Sequence, residues 1–159
     1  MAAADKFFLV PKIVAAEKYI DISRDEIERT MNEQNGEFDI DWEEVVVDDF
    51  AVEHEVTLKL NISCRSQLME GWSVALKLHG IRIDGIDWHN RFRDPEGNTH
   101  HGWHRHRFDQ KARSANNCRW PTAVLDGASD RTQFLIRTLK ELNILFSGVD
   151  HGNYELFSD

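Results

Sequence analysis

Cysteine, proline and long apolar runs are all scarce in this chain, and each shortage removes a class of protein. The only 2 cysteines, Cys64 and Cys118, lie far apart without CxxC spacing, so neither a disulfide framework nor a thiolate metal site is expected. No run approaches the roughly 18 apolar residues needed to span a bilayer, and the opening MAAADKFFLVPKIVAAEKYI breaks its apolar patches with charges. A membrane protein is therefore not expected, and the reading is cytoplasmic. Few prolines and no low-complexity linker interrupt the 159 residues, a length that buries one continuous core, so a single domain over 1–159 is expected. Basic residues are also in deficit. Against 28 Asp and Glu stand 19 Lys and Arg, a formal charge of −9, whose field repels nucleic acid from most of the surface. The run DIDWEEVVVDDFAVEHE offers an acidic face to a basic protein partner.

What is present is concentrated. The stretch WHNRFRDPEGNTHHGWHRHRF, residues 88–108, holds 5 of the 8 histidines. Residues 88–119 carry 7 Lys and Arg against 3 Asp and Glu, a local +4 that leaves −13 for the remainder. Chemistry is to be sought here.

Around this segment the periodicities describe an α+β domain. In ISRDEIERTMNEQNG, Ser23 and Glu26 form a capping box, Ile22 and Ile27 sit where a hydrophobic staple clamps the entry, and Asn35–Gly36 supplies a stop; a helix over 24–34 is expected. Apolar residues alternate from Phe50 to Cys64, the period of a half-buried strand, with His54 on its apolar face. A second strand begins at WSVALKLHGIRID; its apolar parity changes after Leu78, which a bulge near His79 and Gly80 would restore. KIVAAEKYI fits helix or strand equally. A short strand is expected at AVL (123–125), and a helix over 130–142, capped by Ser129 or Asp130, presents Leu135, Leu139 and Leu142 at helical spacing. Together these make a twisted antiparallel sheet of about four to six strands, with two or three helices packed on one face.

DPEG is a turn: Pro95 fixes φ, Asp94 accepts, and Gly97 takes a positive φ. A two-residue loop would oppose Asp87 to His104 and bring Asp87 and His89 beside the histidines of the second strand. A three-residue loop, Pro95 to Gly97, fits proline better; it opposes Trp88 to His104 and Ile86 to His106, with Asp84, Trp88 and Asn90 on the histidine face. In either register His100, His104 and His106 share a face.

Alternate residues of a strand lie about 6 to 7 Å apart between Cα atoms, near enough for an HxH pair to converge on one cation. His100, His104, His106 and Asp87 are the candidate metal ligands, for zinc, manganese or iron. A cupin barrel is not the source of this pattern, since its acid after HxH is replaced by Gln110 and no second segment follows. Without a metal the segment would bind a nucleic-acid phosphodiester, RNA or another single strand. His104, His106 and His89 would then act as acid and base, Arg91, Arg105 and Arg107 would hold the anion, and Trp88, Trp103 and Phe92 would stack on bases. A third arrangement is purely structural, the histidines and arginines satisfying acidic strands across the sheet.

The run LKLHGIRIDGIDWHNRFRDPEGNTHHGWHRHRF, followed by FLIRTLKELNI, resembles a group of small histidine-rich bacterial proteins of unknown function, which share an HxN or HN, PxG, HxH hairpin followed by a C-terminal helix. A weaker similarity is to histidine-rich toxins of the TumE type. Arg82, Asp84, His89, Asn90, Pro95, Gly97, His104 and His106 match, and RFRD is inserted between HN and the turn. The resemblance implies a bacterial or phage-associated accessory protein of toxin, defence or mobile-element type. A nuclease is one activity its hairpin would support; the rival is a noncatalytic, antitoxin-like binding module.

Overall fold

A computed structural model describes residues 8–34, 37–45, 58–64, 71–109, 111 and 118–147. The 50–57 part of the alternating segment, His54 included, and the tail beyond 147 lie outside the described residues. The first helix, α1, spans Val10–Ala15 with Pro11 in its first turn, where the missing N–H costs nothing. The segment that fitted helix and strand equally is both, because β1 (Lys18–Asp21) follows directly. Helix α2 (Arg24–Glu33) starts where Ser23 caps it, its side chain accepting from the Glu26 N–H, and buries Ile27 and Met31.

Five hairpin-type pairings then build one antiparallel sheet in chain order: β2 (Phe38–Val45), β3 (Leu58–Cys64), β4 (Ser73–Leu78), β5 (Ile81–Arg93), β6 (Thr99–Arg107) and β7 (Arg119–Pro121). Helix α3 (Arg131–Glu141) is capped by Asp130, which accepts from the Gln133 N–H at 2.8 Å, and β8 (Ile144–Ser147) closes the described chain. β8 pairs in parallel with β1, an association of distant segments that local periodicity does not reveal. The α+β class with a six-stranded antiparallel sheet is as the sequence predicts.

Two local expectations are corrected. His79 and Gly80 form a tight hairpin turn between β4 and β5, with φ of 50° and 79°, and the expected bulge falls just beyond them, where Ile83 is the extra residue between the pairs Lys77↔Arg82 and Leu76↔Asp84. Positive φ at both central residues is the turn that matches strand twist, and histidine is among the few side chains that tolerate it. The strand expected at 123–125 is a run of turns instead, while the strand itself forms at Arg119–Pro121.

Alternation gives the sheet two unlike faces. Leu58, Leu60, Ile62, Val74 and Leu76 are fully buried in the core on one of them. There Trp72 and Trp103 meet Phe134 of α3 at ring-centroid distances of 6.0 and 5.1 Å. Arg105 fastens the same face, donating to Asp84 through Nε (3.0 Å) and Nη2 (2.9 Å) and to Glu141 of α3 through Nη1 (3.0 Å). The opposite face carries the residues between those apolar positions: Asn61 on β3, Ser73, Ala75 and Lys77 on β4, Asp87 on β5, and His104 and His106 on β6. No helix among the described residues is long and apolar enough to cross a membrane.

Candidate metal centre

The hairpin turn has the expected three-residue loop. Asp94 and Asn98 close it, Gly97 takes φ +89°, and Asp94 Oδ1 accepts from the backbone N–H groups of Glu96 and Asn98. The register beyond the turn is nevertheless the one a two-residue loop would set. Between the pairs Phe92↔His100 and His89↔Gly102 the strands have a bulge, with Asn90 and Arg91 facing the single residue His101. The extra residue shifts parity. Asp87 therefore opposes His104, and Trp88 opposes Trp103, correcting the expected pairing of Trp88 with His104. His101 Nδ1 donates to the Asn90 carbonyl and so tethers the bulge.

The shift brings four candidate donors into one row. His89 Nδ1 lies 3.3 Å from His104 Nε2, which lies 3.2 Å from His106 Nε2, which lies 2.8 Å from Asp87 Oδ2. The rings of His89 and His104 stack at 4.9 Å, and Phe92 covers His104 at 4.3 Å. His104, His106 and Asp87 are only 0%, 2% and 6% exposed, whereas His89 reaches solvent. The donor atoms of Asp87, His104 and His106 all lie within 4.8 Å of one another.

The electrostatics put His104, His89 and Asp87 in the protonation states that metal ligands need. Burial, reinforced by the neighbouring His106 and partly opposed by Asp87, lowers His104 to about 3, so its ring is neutral at physiological pH. Its Nδ1 points at the Gly102 carbonyl, 3.4 Å away, which favours the tautomer with a lone pair on Nε2. Burial also lowers His89. For Asp87 burial opposes ionisation, but hydrogen bonds from His106 and Arg82 outweigh it and hold the carboxyl well below the usual range.

Asp87 is itself oriented by a second set of residues. Ser73 Oγ donates to Oδ1 at 2.7 Å, and the Arg82 guanidinium grips both oxygens, Nη1 to Oδ2 at 2.9 Å and Nη2 to Oδ1 at 2.5 Å. Arg82 reaches across because residue 85 has no side chain. A Cβ on Gly85 would lie 2.4 Å from the Val74 carbonyl oxygen and 2.5 Å from Arg82 Nη2.

The candidates named from sequence thus divide. His104, His106, Asp87 and His89 come together. His100 does not join them: its Nε2 bonds Asp94 Oδ2 at 2.7 Å, and its ring stacks on Phe92. Arg105 is corrected as an anion holder, since its guanidinium is consumed by Asp84 and Glu141 on the helical face. Arg107 is exposed at a separate cavity of about 460 Å³ on that face, walled by Val10, Val14 and Phe108. Arg91 is exposed within the bulge. The arginine that does meet the cluster, Arg82, stands outside the histidine segment, and only its place among the residues that carry the resemblance pointed to it. No known protein family, curated protein or solved structure matches this chain.

Proposed function

We propose that this protein binds one divalent cation on the open face of its sheet and uses it for hydrolytic chemistry on a phosphate ester. His104, His106 and Asp87 are the buried ligands, and His89, its Nδ1 3.3 Å from His104 Nε2, borders them at the solvent side. One observation carries the reading: the donor atoms of Asp87, His104 and His106 lie within 4.8 Å of one another in a buried site, with His104 Nε2 and His106 Nε2 3.2 Å apart. Donors about 2.0 to 2.1 Å from a tetrahedral zinc ion stand about 3.3 Å apart.

Zinc, manganese and iron(II) all suit this nitrogen and carboxylate set. Such an ion supplies a polarised water at neutral pH. Arg82 and Ser73 hold the Asp87 carboxylate in place, the arrangement that second-layer partners of metal ligands adopt. Phe92 keeps bulk water from His104. In this reading the protein serves a toxin, defence or mobile-element module, as the hairpin's resemblance to TumE-type toxins implies.

Elemental analysis of the purified protein tests the proposal. One equivalent of a transition metal is expected in the wild type, falling below about a tenth of that in His104→Ala and His106→Ala. Metal-free protein whose melting temperature ignores added zinc, manganese and iron(II) would overturn it, leaving the acidic-face, noncatalytic reading.

A further inference from the structure

The row of metal donors ends at Arg82 and Ser73, and both residues also line a second feature of the open face. This is a polar groove of about 400 Å³, bounded by Asn61, Ser73, Ala75, Lys77 and Arg82. No Asp or Glu lines it among the described residues. The small side chains of Ser73 and Ala75 leave the middle of β4 open, so the groove is built by sequence choice at strand positions that long side chains would otherwise fill.

The charges around it are arranged against one another. Lys77 pairs directly with Lys59 of β3 on one side and with Arg82 of β5 on the other, so three cations stand at one level across three adjacent strands. Like charges directly opposite in a sheet repel. Among the described residues, neither Lys59 nor Lys77 has a hydrogen-bonding or ion-pair partner. Lys77 is half-buried, Lys59 beside it on β3 is exposed, and Arg82 keeps a buried Nε with no hydrogen-bond partner. The acids nearest the groove are already committed. Asp87 is gripped by Arg82 and Ser73, and Asp39 and Asp41 each accept from Asn61 Nδ2 at 2.7 Å.

We infer that this groove binds the phosphate group of a small phosphorylated molecule, with Lys77 as its principal cation, Lys59 at the entrance, and Ser73 and Arg82 joining it to the metal centre. An anion between Lys59, Lys77 and Arg82 removes their mutual repulsion and finds donors already in place. The chain's overall charge of −9 favours a single small anion over a long polyanion, which the surrounding field repels. The substrate class rests on the proposed metal centre; the anion site does not.

The test titrates inorganic phosphate into the full chain by calorimetry at constant ionic strength, with chloride as the control. Elemental analysis is run on the same samples. The wild type is expected to bind one phosphate. Lys77→Gln should weaken it roughly tenfold and the surface change Lys59→Gln by a few fold, as loss of one charge-assisted contact implies. Metal content should be unchanged in both. Failure of the wild type to bind phosphate beyond the chloride control overturns the site, as does wild-type affinity in both variants. A single-stranded oligonucleotide that displaces phosphate at a lower concentration of phosphate groups overturns the small-molecule assignment. Phosphate binding by protein that carries no metal sinks the metal centre and leaves the groove standing.

Discussion

Gly85 and Lys18 show how single side chains, present or absent, hold this molecule together. At Gly85 the missing Cβ is what lets Arg82 lie across β5 and grip Asp87. Gly85→Ala forces a contact of 2.4 Å with the Val74 carbonyl at φ +154°. The expected outcome is a loss on the order of 2 kcal/mol in denaturant unfolding, together with weaker metal retention, because Asp87 loses the partner that aims it. Lys18 is a different case. It is fully buried, and its ammonium donates to the carbonyls of Ile13, Val14 and Ala16 at the end of α1. Burial lowers it from 10.5 to about 8, against the pull of Asp84. As pH rises through about 8, the folded chain releases this proton before the unfolded chain does. The contribution is therefore fully present above 10.5 and is lost as pH falls through about 8. Stability of the wild type relative to Lys18→Met should rise across that window by up to about 3 kcal/mol, measured by urea unfolding at each pH. A flat difference would contradict the assignment.

At the scale of elements, the ion pair between Asp84 and Arg105, extended to Glu141, ties β5, β6 and α3 together. Asp84 is 1% exposed, so Arg105→Ala strands a buried carboxylate and should cost about 3 to 5 kcal/mol. The double change Arg105→Met with Asp84→Leu should recover most of that loss, which chemical denaturation of both variants measures. The same elements show what local sequence conveys. Helices α2 and α3 and their caps at Ser23 and Asp130 were legible, because a cap is a contact between residues three apart. The loop at Pro95–Gly97 was legible for the same reason. Neither the bulge at Asn90 and Arg91 nor the turn at His79–Gly80 was. The bulge depends on how a partner strand answers, and one extra residue reverses which face every later side chain takes, while the turn is local but carries histidine where Asn, Asp or Gly is usual.

For the molecule as a whole, the six-stranded sheet turns one face to a helix-covered core and carries polar side chains on the other. A cation bound at the histidine row couples that polar face to global stability, since the unfolded chain cannot assemble His89, His104, His106 and Asp87. Zinc at about a hundred times its dissociation constant should add about 2.7 kcal/mol, seen as a rise in melting temperature that EDTA reverses and His106→Ala abolishes.

Composition, periodicity and turn chemistry alone determined the α+β class, both capped helices, the hairpin and the segment where donors collect, because these follow from contacts a few residues apart. The tertiary structure decided the rest: which histidines meet, that Asp87 rather than Asp84 faces them, that Arg105 turns away while Arg82 arrives, and that three cations line up across β3, β4 and β5. The reason is geometric. A strand puts its side chains alternately on two faces, so membership of a site is settled by register, and register is settled by pairing with other strands.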